Sequence, residues 1–263
     1  FTQQFNPEGT EAGAHTAAAV AAACGDTVTV DDVIDAAMIE KTTILYLGDR
    51  ELTQIDGIEI FSNLQTLHLK NNSLKSLPDN FGNLTNLRTL NLSDNQLESL
   101  PESIGELKNL KKFSLAYNQL KSLPDNIGEL SSLTELYLSP FEEVSQPRRS
   151  NELTSLPESI GKLTNLGALT LGSNQLTILP DSMGNLVNLQ FLILSENKLT
   201  SLPDSIGNLV ELQGLGLNDN QLTSLPESIG NLNLNRGVML SHNLLPAGYA
   251  ATLNTLHEGW NVP

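Results

Sequence analysis

The chain has 263 residues and a formal charge of −16, from 30 acidic against 14 basic side chains. That balance repels phosphate backbones and anionic headgroups, which excludes nucleic acid and charged membrane surfaces as partners of the molecule as a whole. A hydrophobic content of 39% suffices for a folded core, yet 50 residues are Leu, more than one ordinary core uses, and none precedes Leu45.

Residues 1–41 differ in composition from the rest, with ten Ala between positions 12 and 37. The apolar run over 17–24 has eight small residues, far short of the ~20 that span a bilayer, so no membrane insertion is expected. An Ala-rich helix starting near Thr10 and ended by Gly25 is predicted. A second follows, opened by Thr29 with Asp32 as a capping box and carrying Val33, Ile34, Ala37 and Met38. Together they make a helical N-terminal cap. Cys24 is the only cysteine, so no intramolecular disulfide can form.

From residue 42 onward the spacing L-x-x-L-x-L-x-x-N-x-L recurs. It reads Leu64, Leu67, Leu69, Asn72, Leu74, and then Leu87, Leu90, Leu92, Asn95, Leu97, a displacement of 23 at every position. Asn118, Asn174, Asn197, Asn220 and Asn243 continue the register, and its one break is the interval of 33 between Asn118 and Asn151, an insertion of ten residues near 141–150. The second half of each unit reads S-L-P-[DE]-[SN]-I-G-x-L, as from Ser99 to Leu107 and from Ser201 to Leu209. This pattern resembles the leucine-rich repeat family, in the 23-residue S-L-P-x-x-I-G class of bacterial and Ras-group-like proteins. The resemblance implies an α/β solenoid over residues 42–245, in eight to nine repeats. A curved parallel β-sheet would form its concave face, short helical or 3-10 turns its convex face, and an Asn ladder would run along it.

Elementary geometry agrees with the resemblance. The L-x-L segment has period two, so Leu90 and Leu92 point inward while Asn91 points outward. One unit cannot bury its Leu alone, and stacking of neighbours supplies the core. The unit over 42–63 is a degenerate first repeat with Arg50 in the Asn position. At the other end Tyr249, Leu253, Leu256 and Trp260 fall on one helical stripe, which predicts a helical cap over 246–263. Seven acids follow Pro, at Asp79, Glu102, Asp125, Glu158, Asp181, Asp204 and Glu227, where an acid suits the first turn of a helical segment.

No catalytic constellation is visible. His15, His68, His242 and His257 are widely separated, and no metal-ligand spacing, nucleophile elbow or phosphate loop occurs, so neither a metal nor a cofactor is expected. Function must sit on exposed positions that the repeat leaves free. One outward column runs His68, Asn91, Ser114, Tyr137, Thr170, Ile193, Gly216, Met239, and its neighbour runs Thr66, Thr89, Lys112, Glu135, Ala168, Phe191, Gly214, Gly237. Early repeats are polar and partly basic, with His68, Lys70, Arg88, Lys111 and Lys112. Later ones are small and apolar, and there Phe191 and Ile193 form a bulky pair between nearly bare strands, suited either to a binding hot spot or to shielding strand glycines. The insertion carries Phe141, Arg148 and Arg149 and leaves the sheet beside Tyr117 and Tyr137, so it too is a candidate contact.

These features lead to a non-catalytic recognition module, a monomer that binds a protein or peptide partner through its concave face and inserted loop. The substrate-recognition part of a larger bacterial effector or enzyme, or a surface adhesion protein, would carry the same repeats. The C-terminal stripe, which ends at Trp260, speaks against a following domain. The bacterial resemblance favours a secreted or cell-surface setting over the cytoplasm, and a single cysteine does not oppose it.

Overall fold

A computed structural model describes residues 36–140 and 150–247. Each repeat contributes one short strand. They are β1 (Ile44–Tyr46), β2 (Thr66–His68), β3 (Thr89–Asn91), β4 (Lys112–Ser114), β5 (Glu135–Tyr137), β6 (Ala168–Thr170), β7 (Phe191–Ile193), β8 (Gly214–Gly216) and β9 (Val238–Met239). They pair in sequence order and all in parallel, with the central residue of each strand against that of the next, as in Leu67 to Leu90, Leu90 to Phe113 and Leu192 to Leu215. The 23-residue displacement is therefore the strand register from β2 onward, lengthened to 33 between β5 and β6 by the insertion. Alternation places those central residues in a continuous core from Leu45 to Leu240, and the flanking residues of each strand on the opposite, strand face.

Between strands the chain returns through 3-10 turns such as Glu102–Glu106, Asp181–Asn185 and Asp204–Asn208. The Pro ahead of each has φ between −69° and −68°, the value its ring imposes, and the acid after it stands in the first turn. Asp79 departs from this pattern, because its turn begins only at Phe81.

Successive turns interlock through the glycine of one and, in most, the Ser of the next, Asn126 taking that place against Gly105. An ideal Cβ placed on Gly184 would lie 2.5 Å from the Ser205 carbonyl oxygen and 2.6 Å from its Cβ, and Gly161 and Gly207 meet Ser182 and Ser228 in the same way. Glycine is required there because two backbones touch. At Gly82 the contact also carries a hydrogen bond, from its N–H to Ser103 Oγ at 3.2 Å.

Where each strand ends, the repeated Asn turns inward. Asn95 donates through Nδ2 to the carbonyls of Leu69 (2.9 Å) and Leu92 (3.0 Å), while its Oδ1 accepts from Leu74 N at 3.1 Å. Asn72, Asn118, Asn197, Asn220 and Asn243 repeat the pattern, so each carboxamide satisfies main-chain groups of its own repeat and of the preceding one. The ladder continues across the insertion, although Asn174, in the repeat that follows, donates only within its own repeat among the described residues. Asn151 donates to Leu115 O (3.0 Å) and Leu138 O (2.9 Å), and Leu120 N donates to its Oδ1 at 3.0 Å.

A second column of Asn, which the sequence pattern did not single out, precedes the strands. Asn86, Asn109, Asn165 and Asn188 each donate to a carbonyl of the preceding repeat, and Asn63 to the Glu40 carbonyl ahead of the first repeat, at 2.7–2.9 Å.

Of the N-terminal cap only α1 (Ala36–Lys41) is described, with Ile39 resting against the core. The helix expected from Thr10, the start at Thr29, the C-terminal stripe Tyr249, Leu253, Leu256 and Trp260, and residues 141–149 lie outside the described residues.

Candidate functional site

The strand face changes character along the array. At its N-terminal end the Tyr46 and His68 rings stack with centroids 4.8 Å apart and planes 12° from parallel. Burial under that stack holds the His68 imidazole below its usual pKa, so it is neutral at pH 7. Further along, Lys112 Nζ lies 2.8 Å from Glu135 Oε1, and the Tyr137 hydroxyl donates to Glu135 Oε2 at 2.8 Å. Burial, then the hydrogen bond to Glu135 and its negative charge, push the Tyr137 phenol well above its usual value, so it remains a neutral donor. Lys112, one of the basic residues expected here, thus works within a charge-balanced trio.

Midway the face closes. Ala168 and Thr170, expected as open positions beside the bulky pair, are buried, with Thr170 at 0% exposure. Thr170 Oγ1 donates to Ser139 O at 2.7 Å and Gly172 N donates to Ser139 Oγ at 2.9 Å, so the strand ends flanking the insertion are bound together. Alternation assigned these residues to the correct side. Thr170 is in addition bonded to Ser139 of the preceding repeat.

Past β6, Phe191 and Ile193 are half-buried and lean toward β8. A Cβ on Gly214 would be 3.3 Å from Phe191 Cδ1, and one on Gly216 would be 3.3 Å from Ile193 Cδ1 and 3.5 Å from Met239 Cε. The two side chains shield strand glycine while keeping part of their own surface in water. Met239 is 44% exposed, and the Arg236 guanidinium lies 5.3 Å from the Phe191 ring centroid. The result is a shallow apolar trough floored by Gly214 and Gly216 and edged by one cation.

Tyr117 does not join Tyr137 on this face. It sits beyond the end of β4 at φ 59°, where it lines a separate polar cavity with Asp49, Lys70 and Asp94. Phe141, Arg148 and Arg149 lie outside the described residues. Among the described residues no group of three or more His, Cys, Asp or Glu is placed to hold a metal ion, and no helix is long and apolar enough to cross a membrane.

Comparison with known proteins follows the repeat. A leucine-rich repeat region model matches residues 43–154, and two further leucine-rich repeat models match 149–199 and 211–232. No curated protein matches the chain. Among solved structures, internalin C2 from Listeria monocytogenes is similar at 27% identity and a TM-score of 0.66, covering 88% of this chain and 92% of that one. The ectodomain of the Arabidopsis thaliana membrane receptor kinase GASSHO1/SCHENGEN3, in complex with Casparian strip integrity factor 2, is 32% identical with a TM-score of 0.62 over 75% of this chain. The plant peptide hormone receptor RGFR1, in complex with RGF2, is 30% identical with a TM-score of 0.60 over 79% of this chain. The matches span only 24% and 38% of those two plant chains.

Proposed function

The chain is a leucine-rich-repeat protein, and on that premise we propose that it is a non-catalytic recognition module that binds a protein or peptide across its strand face. The repeat models that match it describe a scaffold and no catalytic family. Two similar arrays are seen in complex with a named factor, and that supports a peptide or protein ligand here.

The observation that carries the reading is the trough around Gly214 and Gly216. Phe191, Ile193 and Met239 keep apolar surface in water together at the C-terminal end of the strand face, away from the exposed Ile44 and Tyr46 of β1, and Arg236 supplies a charge at the rim of the trough. Partly exposed aromatic and aliphatic groups beside a cation are what anchor a peptide side chain. In this reading His68, Lys112 and Tyr137 extend the contact toward the N-terminal repeats, Phe141, Arg148 and Arg149 contribute from the inserted loop, and Tyr117, which lines the separate cavity, takes no part. The protein acts as a monomer, in a secreted or cell-surface setting. That setting rests on the ectodomain among its structural relatives.

Panning a random peptide library on the immobilised protein tests the proposal. Enriched peptides should lose at least about tenfold in affinity for Phe191→Ala with Ile193→Ala. They should bind Val187→Ala with Val210→Ala, two exposed residues that follow the turns, as they bind wild type. Equal binding to both variants would place the peptide elsewhere.

A further inference from the structure

Beyond the ends of β1 to β4 the chain forms an open cavity of about 880 Å³, lined by Asp49, Lys70, Asn71, Asn72, Asp94, Asn95, Gln96, Tyr117 and Gln119. It is distinct from the trough at Gly214 and Gly216, which lies four repeats further along. Its walls come from register-equivalent positions. Asp49, Asn71, Asp94 and Tyr117 each precede the ladder position and each has φ between 57° and 61°. Gln96 and Gln119 each follow the ladder Asn, 23 residues apart. The cavity is therefore a short row of like-placed side chains, stepped at the strand spacing of ~4.8 Å.

The chemistry of that row narrows what it can hold. Asn72 and Asn95 commit their amides to the ladder and provide floor. Asp49 Oδ1 accepts from Asn71 Nδ2 at 2.6 Å. The carboxamides of Gln96 and Gln119 are half-buried, and neither has a hydrogen-bond partner among the described residues. By contrast Gln175, at the same repeat position, already accepts from Lys198 Nζ at 3.2 Å. The Lys70 ammonium likewise has no ion pair among the described residues. An apolar ligand meets a wall that is mostly polar. An anion meets two carboxylates against one ammonium in a chain of charge −16. What remains is a neutral ligand dense in hydroxyls. Carboxamides and carboxylates pair with such groups as donors and acceptors together, and the Tyr117 ring offers an apolar face to the C–H side of a sugar.

We infer that this cavity is a glycan subsite for a linear, uncharged oligosaccharide, whose sugars lie along the row from Asp49 to Gln119. The site stands apart from the proposed peptide trough and does not depend on it.

The test uses the whole chain and an array of neutral linear tetrasaccharides with glucose, mannose, galactose or N-acetylhexosamine backbones, followed by titration calorimetry. At least one should bind with a dissociation constant below about 1 mM. Gln96→Ala with Gln119→Ala should weaken it by about tenfold or more without changing the melting temperature, since neither carboxamide bonds to the rest of the described protein. Phe191→Ala should bind the sugar as wild type does. The inference is overturned if no neutral tetrasaccharide binds, if the double variant binds unchanged, or if an anionic oligosaccharide such as a sulfated tetrasaccharide binds more tightly than every neutral one. Loss of binding in Phe191→Ala alone would overturn it as well, by moving the sugar to the trough.

Discussion

Asn95 and Gly184 show how unequal single positions in a repeat can be. The Asn95 amide donates to three carbonyls, of Leu69, Leu92 and Ser93, and a carboxylate of the same shape donates to none. Asn95→Asp should therefore cost about 1–3 kcal/mol, read as a lower urea midpoint with an unchanged slope; an unchanged midpoint would mean the ladder is dispensable. Gly184→Ala drives a methyl to 2.5 Å from a main-chain oxygen that cannot swing away, and should cost about 1–3 kcal/mol or more. Gly216→Ala meets only the ends of Ser195, Ile193 and Met239, and should stay within about 1 kcal/mol of wild type in thermal unfolding. The ladder Asn was legible in the sequence because its 23-residue spacing recurs from Asn72 to Asn243 with a single break. The steric need at Gly184 was not, because it comes from the turn of the next repeat, and a sequence records two touching backbones only as a frequent glycine.

Between elements, the turn face is joined by charges as well as by backbone contact. Glu129, in the turn Asp125–Glu129, lies 2.9 Å from Lys162 of the following turn and 3.5 Å from Lys108 of the preceding repeat. The hydrogen bond and charge of Lys162, then the charge of Lys108, hold its carboxyl below the usual carboxylate range. A depressed folded pKa gives stability that is present above the unfolded value and disappears as pH falls through the folded one. Wild type should thus be slightly more stable than Glu129→Gln at pH 7, with the difference vanishing in acid and shrinking in high salt. Urea midpoints at pH 7 and pH 3, with and without added salt, check this. Strand order, register and the position of the turns were all readable from the Leu spacing. Several other features were not: the second Asn column, the burial of Thr170, the leaning of Phe191 onto Gly214 and the polar cavity at the ends of β1 to β4. Each depends on contacts between residues that share a column only once neighbouring repeats are stacked.

For the whole molecule, the insertion is the sharpest test of how the array holds together. Asn151 reaches Leu115 and Leu138 across an interval of 33 residues as other ladder positions reach across 23, and β5 pairs β6 in register over the same gap. Excising residues 140–149 restores the 23-residue interval. The shortened chain should keep the far-ultraviolet circular dichroism of wild type and melt within a few degrees of it, whereas a collapse of the transition would show that the loop itself fastens the two halves. The Asn column bonds to peptide groups and to no variable side chain, so its energy does not depend on what the strand face presents. A unit duplicated or lost in one 23-residue step would find the same carbonyls waiting at the join. Such a step would carry the Phe191 trough one strand nearer to or farther from the charged trio at Lys112, Glu135 and Tyr137. The span between two contact points could therefore be changed in increments of one strand width, while every contact residue and the supporting backbone remained as they are.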